Sequence, residues 1–182
     1  MIRTISRAAT LALVFALAVS GCKKEPVETT PEPSGFSFNV YPGARYLSQL
    51  TELVKAAHRL GDPNHEPPPT AIFDSDATIE QVADYYAKAY GFNTVAPDAT
   101  NNLSVTKPPA YYRTGDLATD VNAAVPVMQK LHVNADITKA QGKYKAAEFE
   151  GKQNRPRITI QRPYFDVTTS QVVDRTMILM AR

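Results

Sequence analysis

The sequence is poor in the residue types that carry most protein chemistry. It has no tryptophan, one cysteine, three histidines and only 8 glycines among 182 residues. A single cysteine excludes an intramolecular disulfide, so a folded domain must be held by its hydrophobic core. Neither a P-loop nor a Gly-x-Ser-x-Gly or Gly-x-Gly-x-x-Gly motif occurs, which leaves nucleotide, serine-hydrolase and dinucleotide interpretations without support. A formal net charge of only +2 is not typical of nucleic-acid binders, and we expect no such partner.

The N-terminal segment has the layout of a secretory signal. Its first seven residues contain two arginines and no acid, and residues 8–19 form an apolar run of 12 residues. That run is shorter than the roughly 20 residues that a membrane-spanning helix needs. It is followed by Val-Ser-Gly-Cys at residues 19–22, which resembles the lipobox read by lipoprotein signal peptidase. The resemblance implies a signal peptide over residues 1–21 and acyl chains on Cys22.

The remaining chain divides into a tether and one domain. Residues 22–35 begin with the cysteine and continue as a Pro-, Glu- and Thr-rich stretch, which predicts an extended linker. Residues 36–182 are long enough for a single globular domain. The membrane, reached through the N-terminal lipid, is the first expected partner. Because Lys23 rather than aspartate follows the cysteine, we expect the outer membrane, with the domain facing the periplasm.

The hydrophobic pattern predicts helices early in the domain and strands late. A turn is expected at Tyr-Pro-Gly-Ala, residues 41–44, and a capping box at Thr-Ile-Glu-Gln, residues 78–81. Pro126 interrupts the last helical pattern and predicts a kink or a second helix start there. The fold class is therefore α+β, with an antiparallel sheet and about three helices packed on one face. Helices are expected over residues 47–60, 79–90 and 117–128, and strands over 36–41, 70–73, 103–107, 143–150, 157–162 and 175–181.

Several short pieces together are similar to a recurring pattern in uncharacterised bacterial envelope lipoproteins. They are the Tyr-Pro-Gly-Ala turn, Asp-Ser-Asp at residues 74–76, the Val-x-x-Tyr-Tyr helix at residues 82–86, and a closing strand. The similarity implies an α+β domain on a membrane surface. It implies no activity and no catalytic residues.

A second resemblance concerns Ile-Phe-Asp-Ser-Asp-Ala-Thr at residues 72–78. This segment resembles the nucleophile motif of haloacid-dehalogenase-type phosphatases, in which an aspartate attacks phosphorus beside a magnesium ion. The resemblance implies that Asp74 is the nucleophile and Asp76 the acid/base. It also implies Asp116 or Asp120 as metal ligands and Lys107 as the phosphate-binding lysine.

Three features of the sequence weigh against a phosphatase. Only 42 positions separate Asp74 from Asp116, too few for the alternating strands and helices of a parallel core. The glycine usual before the threonine is Ala77, and Thr78 is already needed as a helix cap. The pattern therefore favours Asp74 and Asp76 as turn and cap residues, and we expect Asp74→Asn to cost about 1 kcal/mol of stability.

Other candidate sites are weaker. His58, Asp62 and His65 include metal-ligand types, but no His-x-x-x-His spacing occurs; the pattern favours surface histidines, with no metal site and no cofactor. The tyrosine pairs at residues 85–86 and 111–112 offer rings for stacking on sugars, although the pattern favours a core role for Tyr86, with its neighbour covering the sheet.

A basic stretch near the C-terminus is the remaining candidate binding surface. Its cations are Lys152, Arg155, Arg157 and Arg162. Strand alternation predicts Arg155 and Arg157 on one face, opposite two isoleucines. Such a stretch suits an anionic surface, although a solvated sheet edge protected by charge explains it too.

The sequence as a whole predicts a membrane-anchored bacterial lipoprotein whose domain is a non-enzymatic binding or scaffolding module of the cell envelope. Its expected partners beyond the membrane are an envelope protein or an anionic cell-wall polymer. Two alternatives stay open, a small metal-dependent phosphatase that uses Asp74 and a carbohydrate-binding module that uses tyrosines.

Overall fold

The computed structural model describes residues 39–92, 110–151 and 155–182. Three α-helices and a 3-10 turn alternate with strands over these ranges. The helices are α1 (Ser48–Gly61), α2 (Ile79–Tyr90) and α3 (Leu117–Lys130), and the 3-10 turn is Ile137–Lys139. The strands are β1 (Arg45–Tyr46), β2 (Thr70–Ser75), β3 (Ala110–Asp116), β4 (Lys143–Phe149), β5 (Arg157–Arg162), β6 (Tyr164–Asp166), β7 (Gln171–Val173) and β8 (Thr176–Ala181).

Six of the strands form one antiparallel sheet in the order β1-β2-β8-β5-β4-β3. Strands β6 and β7 form a separate antiparallel pair. The predicted α+β class with an antiparallel sheet is confirmed. The apolar run at residues 177–180 lies in β8, which has strands hydrogen-bonded on both sides, as its composition indicated.

The helices lie on both faces of the sheet, which corrects the expectation that they share one face. On β2, Ala71 and Phe73 pack in the cluster that contains α2, whereas Ile72 packs with Leu50 of α1. Helix α3 packs on the same side as α1, where Leu117 contacts the cluster of Tyr144 and Ala146. The physical reason is that the side chains of β2 and β8 are apolar on both faces of the sheet. Each face must therefore be shielded from water by packed helices.

Helix α2 has the start and end that the sequence predicts. The Oγ1 of Thr78 accepts from the backbone N–H of Gln81 at 3.3 Å, and the Gln81 side chain accepts from the N–H of Thr78 at 2.9 Å. Gly91 ends the helix with φ 65°, a left-handed conformation that suits glycine. The reciprocal bonds are a capping box, so the local prediction is confirmed.

The predicted turn before the first helix is also present. The N–H of Ala44 donates to the carbonyl of Tyr41 at 3.0 Å, and Gly43 has φ 75°. In contrast, residues 39–41 are not a strand, because tyrosine hydroxyls of α2 rather than a neighbouring strand bind their backbone. The predicted strand over residues 103–107 lies outside the described residues.

Helix α3 runs without interruption from Leu117 to Lys130, with Pro126 inside it. The predicted second start is therefore wrong: Pro126 and Asn122, whose carbonyl lacks its helical donor, are both exposed, so water can replace that hydrogen bond. Strand β3 and the β6–β7 pair were not predicted from the sequence. None of the described helices is long and apolar enough to cross a bilayer.

Candidate functional site

Asp74 lies in strand β2 with no exposed surface. Arg45, from the neighbouring strand β1, donates to it from Nε at 3.1 Å and from Nη2 at 2.8 Å. Arg175 donates from Nε at 3.0 Å, and the hydroxyl of Tyr164 donates at 3.0 Å. Both carboxylate oxygens are therefore occupied by donors of the chain itself.

A second set of bonds continues this network at the same end of the sheet. Arg175 also donates from Nη1 to the exposed carboxylate of Asp76. Arg162, at the end of β5, donates to the carbonyls of Asp76 at 3.1 Å and Ala77 at 3.2 Å. It also binds Asp174 through the carboxylate at 2.9 Å and the carbonyl at 3.0 Å. We call this end, with Arg45, Asp74, Asp76, Arg162 and Arg175, the paired end.

The charges of the paired end explain the pKa directions found there. The hydrogen bond from Arg45 to Asp74 raises the pKa of that guanidinium. Burial, with the nearby charge of Asp74 as a further cause, raises the pKa of the Tyr164 hydroxyl well above its usual range. Both shifts favour the protonated form of the two donors.

These contacts have a direct bearing on the phosphatase interpretation. A nucleophilic carboxylate needs an oxygen lone pair aimed at an open site, whereas Asp74 is enclosed and bonded to three side chains. It is also a strand residue, four positions before the cap Thr78, rather than a residue of the helix start. The described sheet is antiparallel, unlike the parallel core that the resemblance implies.

The aspartates implied as metal ligands lie far from Asp74. Asp116 caps helix α3 by accepting from the N–H of Thr119 at 3.1 Å, and it ends strand β3 at the opposite edge of the sheet. Strands β2 and β3 are separated by β8, β5 and β4, which is four spacings or about 19 Å. One metal ion cannot bridge that distance. Lys107 lies outside the described residues.

Asp120 belongs to a different network. It accepts from the hydroxyl of Tyr144, which in turn accepts from Arg113, and Arg113 binds Glu148 at 2.5 Å. The Tyr144 ring lies over Gly115 of the neighbouring strand β3. A side chain at position 115 would overlap that ring. This network joins α3 to β3 and β4, and its side chains bond to one another. It therefore has a structural role.

The histidine cluster is not assembled into a metal centre. The Nδ1 of His65 and a carboxylate oxygen of Asp62 lie 2.8 Å apart at an exposed position, while His58 lines a shallow groove on α1. Over the described ranges, no group of three or more histidine, cysteine, aspartate or glutamate side chains is placed to hold a metal ion.

Three tyrosines of α2 hold the segment through which the chain enters the domain. The hydroxyls of Tyr90 and Tyr86 accept from the backbone N–H groups of Asn39 at 2.9 Å and Tyr41 at 3.1 Å. The Tyr85 hydroxyl donates to the carbonyl of Val40 at 3.2 Å. We call Tyr85, Tyr86 and Tyr90 the tyrosine clamp. The carbohydrate-binding alternative needs an exposed ring, whereas the Tyr86 ring is buried and packs against those of Tyr85 and Tyr90.

The predicted basic stretch does not form one surface. Arg162 is bonded internally at the paired end, and Arg157 is exposed at the other end of β5, about 17 Å away. Arg155 precedes the strand and lies over the ring of Phe92, 5.7 Å from its centroid, on the side of the sheet that α2 covers. The predicted shared face for Arg155 and Arg157 is therefore wrong, because the strand begins only at Arg157. Lys152 lies outside the described residues.

Comparisons of the chain with protein-family models, curated proteins and solved structures find no match. Sequence reasoning missed Arg45, Arg175 and Tyr164 as partners of Asp74. One sequence feature indicated that such partners exist, because an aspartate inside an apolar strand needs buried cations or hydrogen-bond donors near it. The sequence does not show which of its cations would supply them.

Proposed function

We propose that the chain is a lipid-anchored protein of the bacterial cell envelope, held by acyl chains on Cys22. Its domain then acts as a non-enzymatic binding or scaffolding module. The observation that carries the proposal is the N-terminal sequence, in which basic residues, a 12-residue apolar run and Val-Ser-Gly-Cys follow one another in order. Two or three acyl chains would anchor the protein stably, whereas one chain binds a membrane only marginally.

The charged clusters of the domain support a binding or scaffolding role over catalysis. Asp74 and Asp120, which the phosphatase alternative needs, are both bonded to arginine or tyrosine side chains of the chain. Asp116 is used as a helix cap. The described acids that resembled catalytic ones thus have structural partners.

The connection between tether and domain supports the same proposal. A tether of 14 residues (22–35) spans up to about 45 Å when extended. The tyrosine clamp fixes the segment that follows, at Asn39–Tyr41. Such a joint would hold the domain at a defined attachment point while the tether sets its reach from the bilayer.

The test of the anchor is mass spectrometry of the protein purified from bacterial membranes. We expect a mature N-terminal peptide that begins at Cys22 and carries a thioether-linked diacylglycerol. Cys22→Ser should abolish the modification and release the protein from the membrane fraction. An unmodified Cys22, or cleavage at another residue, would refute the anchor. Fractionation should place the lipidated protein in the outer membrane, and an inner-membrane location would contradict that part.

A phosphatase assay tests the non-enzymatic part. We expect no magnesium-dependent phosphate release from small phosphomonoesters by the native protein. Because Asp74 is buried, Asp76→Asn is the informative variant, since Asp76 is exposed and its loss leaves the core intact. Magnesium-dependent release that disappears in Asp76→Asn would overturn the proposal in favour of the phosphatase. If no such release occurs, crosslinking in cells would identify the envelope protein or cell-wall polymer that the domain binds.

A further inference from the structure

The point where the chain enters the domain lies at the end of the sheet opposite the paired end. Asn39 is bonded to Tyr90 in the last turn of α2. The Tyr90 ring contacts Phe92, with 6.2 Å between centroids, and Phe92 contacts Phe149 at the end of β4. Arg155 lies over the ring of Phe92 in the same cluster. The tether therefore joins the domain beside the first residues of β5.

Three cations lie at this end of the domain, on different faces of it. Lys88 is exposed in the last turn of α2, Arg157 is exposed at the start of β5, and Arg155 is half-buried over Phe92. Among the described residues, none of the three forms an ion pair with an acid. Glu150, after β4, is the exposed acid beside them on these strands. We call Lys88, Arg155 and Arg157 the basic end.

We infer that the basic end is a membrane-docking surface that binds the anionic headgroups of phospholipids. The inference rests on the proposed lipid anchor and adds an orientation to it. A tether that enters at one end brings that end closest to the bilayer, and cations that form no ion pair within the described residues keep their attraction for lipid phosphates. Arg155, held over an aromatic ring, presents its guanidinium with little loss of side-chain freedom.

The cations elsewhere on the sheet support this choice of surface. At the paired end, Arg45, Arg162 and Arg175 are bonded to acids or carbonyls of the chain. Headgroups would have to compete with those bonds. At the basic end, Lys88, Arg155 and Arg157 form no ion pair among the described residues, so headgroups would displace no such bond.

The experiment measures which end of the domain touches the bilayer. The native protein, purified in its lipidated form, is placed in vesicles of phosphatidylglycerol and phosphatidylethanolamine that contain a collisional quencher on the lipid. A fluorophore is attached through Ala89→Cys, next to Lys88, or through Thr169→Cys in the β6–β7 turn; both positions are exposed. We expect strong quenching at position 89 and weak quenching at position 169. Salt of about 0.5 M should reduce the difference.

A double variant tests the charges themselves. Lys88→Gln with Arg157→Gln leaves the Arg155–Phe92 contact in place, so it separates charge from packing. Each cation near an anionic surface strengthens binding about fivefold, so the ratio of docked to undocked domain should fall about 25-fold. The matched control, Lys139→Gln with Lys143→Gln, removes two exposed cations near the start of β4 and should leave quenching unchanged.

The outcomes separate the docking surface from the anchor. Equal quenching at positions 89 and 169, equal quenching in neutral phosphatidylcholine vesicles, or an unchanged double variant each overturns the docking surface. Mass spectrometry of the same sample reports whether Cys22 is lipidated. An unlipidated protein overturns the proposed anchor, whereas a lipidated protein without the quenching difference overturns only the inferred surface.

Discussion

The arginines at the two ends of the sheet have opposite environments. At the paired end, Arg45 and Arg175 converge on one enclosed carboxylate, and Arg162 binds four acceptors. At the basic end, Arg157 is exposed and Arg155 lies on an aromatic ring. Arginines that look alike in the sequence therefore have different roles, because the tertiary structure gives some of them buried acceptors and leaves others to solvent.

The difference also explains why Asp74 tolerates burial. An unpaired carboxylate in a sheet interior would carry a large desolvation penalty. Two guanidinium groups and a tyrosine hydroxyl compensate it here. The arginines keep part of their surface in water, 41% for Arg45 and 25% for Arg175, so only the carboxylate is fully desolvated.

Among the variants that test this comparison, Asp74→Asn has the largest expected effect on stability. It should lower the free energy of unfolding by about 3 kcal/mol, since two arginines lose the charge that compensates them. The earlier expectation of about 1 kcal/mol assumed a helix-start position, which Asp74 does not occupy. Urea unfolding gives the measurement. Asp76→Asn is the control, with an expected loss below about 1 kcal/mol because Asp76 is exposed. Equal losses would contradict the network.

The next effect concerns Gly115, on the β3 edge near the paired end. An added Cβ would lie 2.6 Å from Cε1 of Tyr144, so Gly115→Ala should destabilise by about 2 kcal/mol through overpacking. Gly61→Ala is the matched control, since no atom lies within 4 Å of its Cβ position. It should be neutral or slightly stabilising in urea unfolding. A Gly115→Ala protein as stable as the control would show that Tyr144 moves freely.

Arg162 and Arg157, the two ends of strand β5, give the most direct comparison. Arg162→Gln should cost about 1–2 kcal/mol, because four hydrogen bonds of the guanidinium are lost, although three of them are exposed. Arg157→Gln should change stability by less than about 0.5 kcal/mol, since no described acid pairs with it. Thermal unfolding of both variants checks the difference. If Arg157→Gln proved the more costly change, the assignment of the two ends would be reversed.

The smallest effect is confined to alkaline pH. Burial, with Glu80 and Asp84 as further causes, raises the pKa of Tyr112 to about 12, above the value of about 10 for an unfolded tyrosine. The folded state then keeps a proton that the unfolded state loses. This contribution is complete below pH 10 and declines as the pH rises toward 12.

Native protein should therefore lose about 1 kcal/mol more than Tyr112→Phe between pH 9 and pH 11 in urea unfolding. The same variant measured at pH 7 provides the control for any packing change. An identical loss in both proteins would show that Tyr112 titrates normally.

Local features of the fold were predictable from particular residues. Thr78, Gln81 and Gly91 specified the limits of α2, and the alternation of isoleucines specified β5 with its observed bounds. Strand β3 was missed because its sequence, Ala-Tyr-Tyr-Arg-Thr-Gly-Asp, ends in weak strand formers and runs directly into the helical pattern of α3. Strands β6 and β7 have three residues each, too few for a periodic signal.

The sequence by itself determined the local structure: the signal-like N-terminus, the helix caps, the turn at Gly43 and the α+β class. These depend on residues close together in the chain, through backbone hydrogen bonds and side-chain periodicity. Only the tertiary structure decided that α1 and α3 share one face, that Asp74 meets Arg45 and Arg175, and that the chain enters beside the basic end. The bonds of Asp74 join residues 29 and 101 positions apart, and they follow from the strand order β1-β2-β8, which places distant segments side by side.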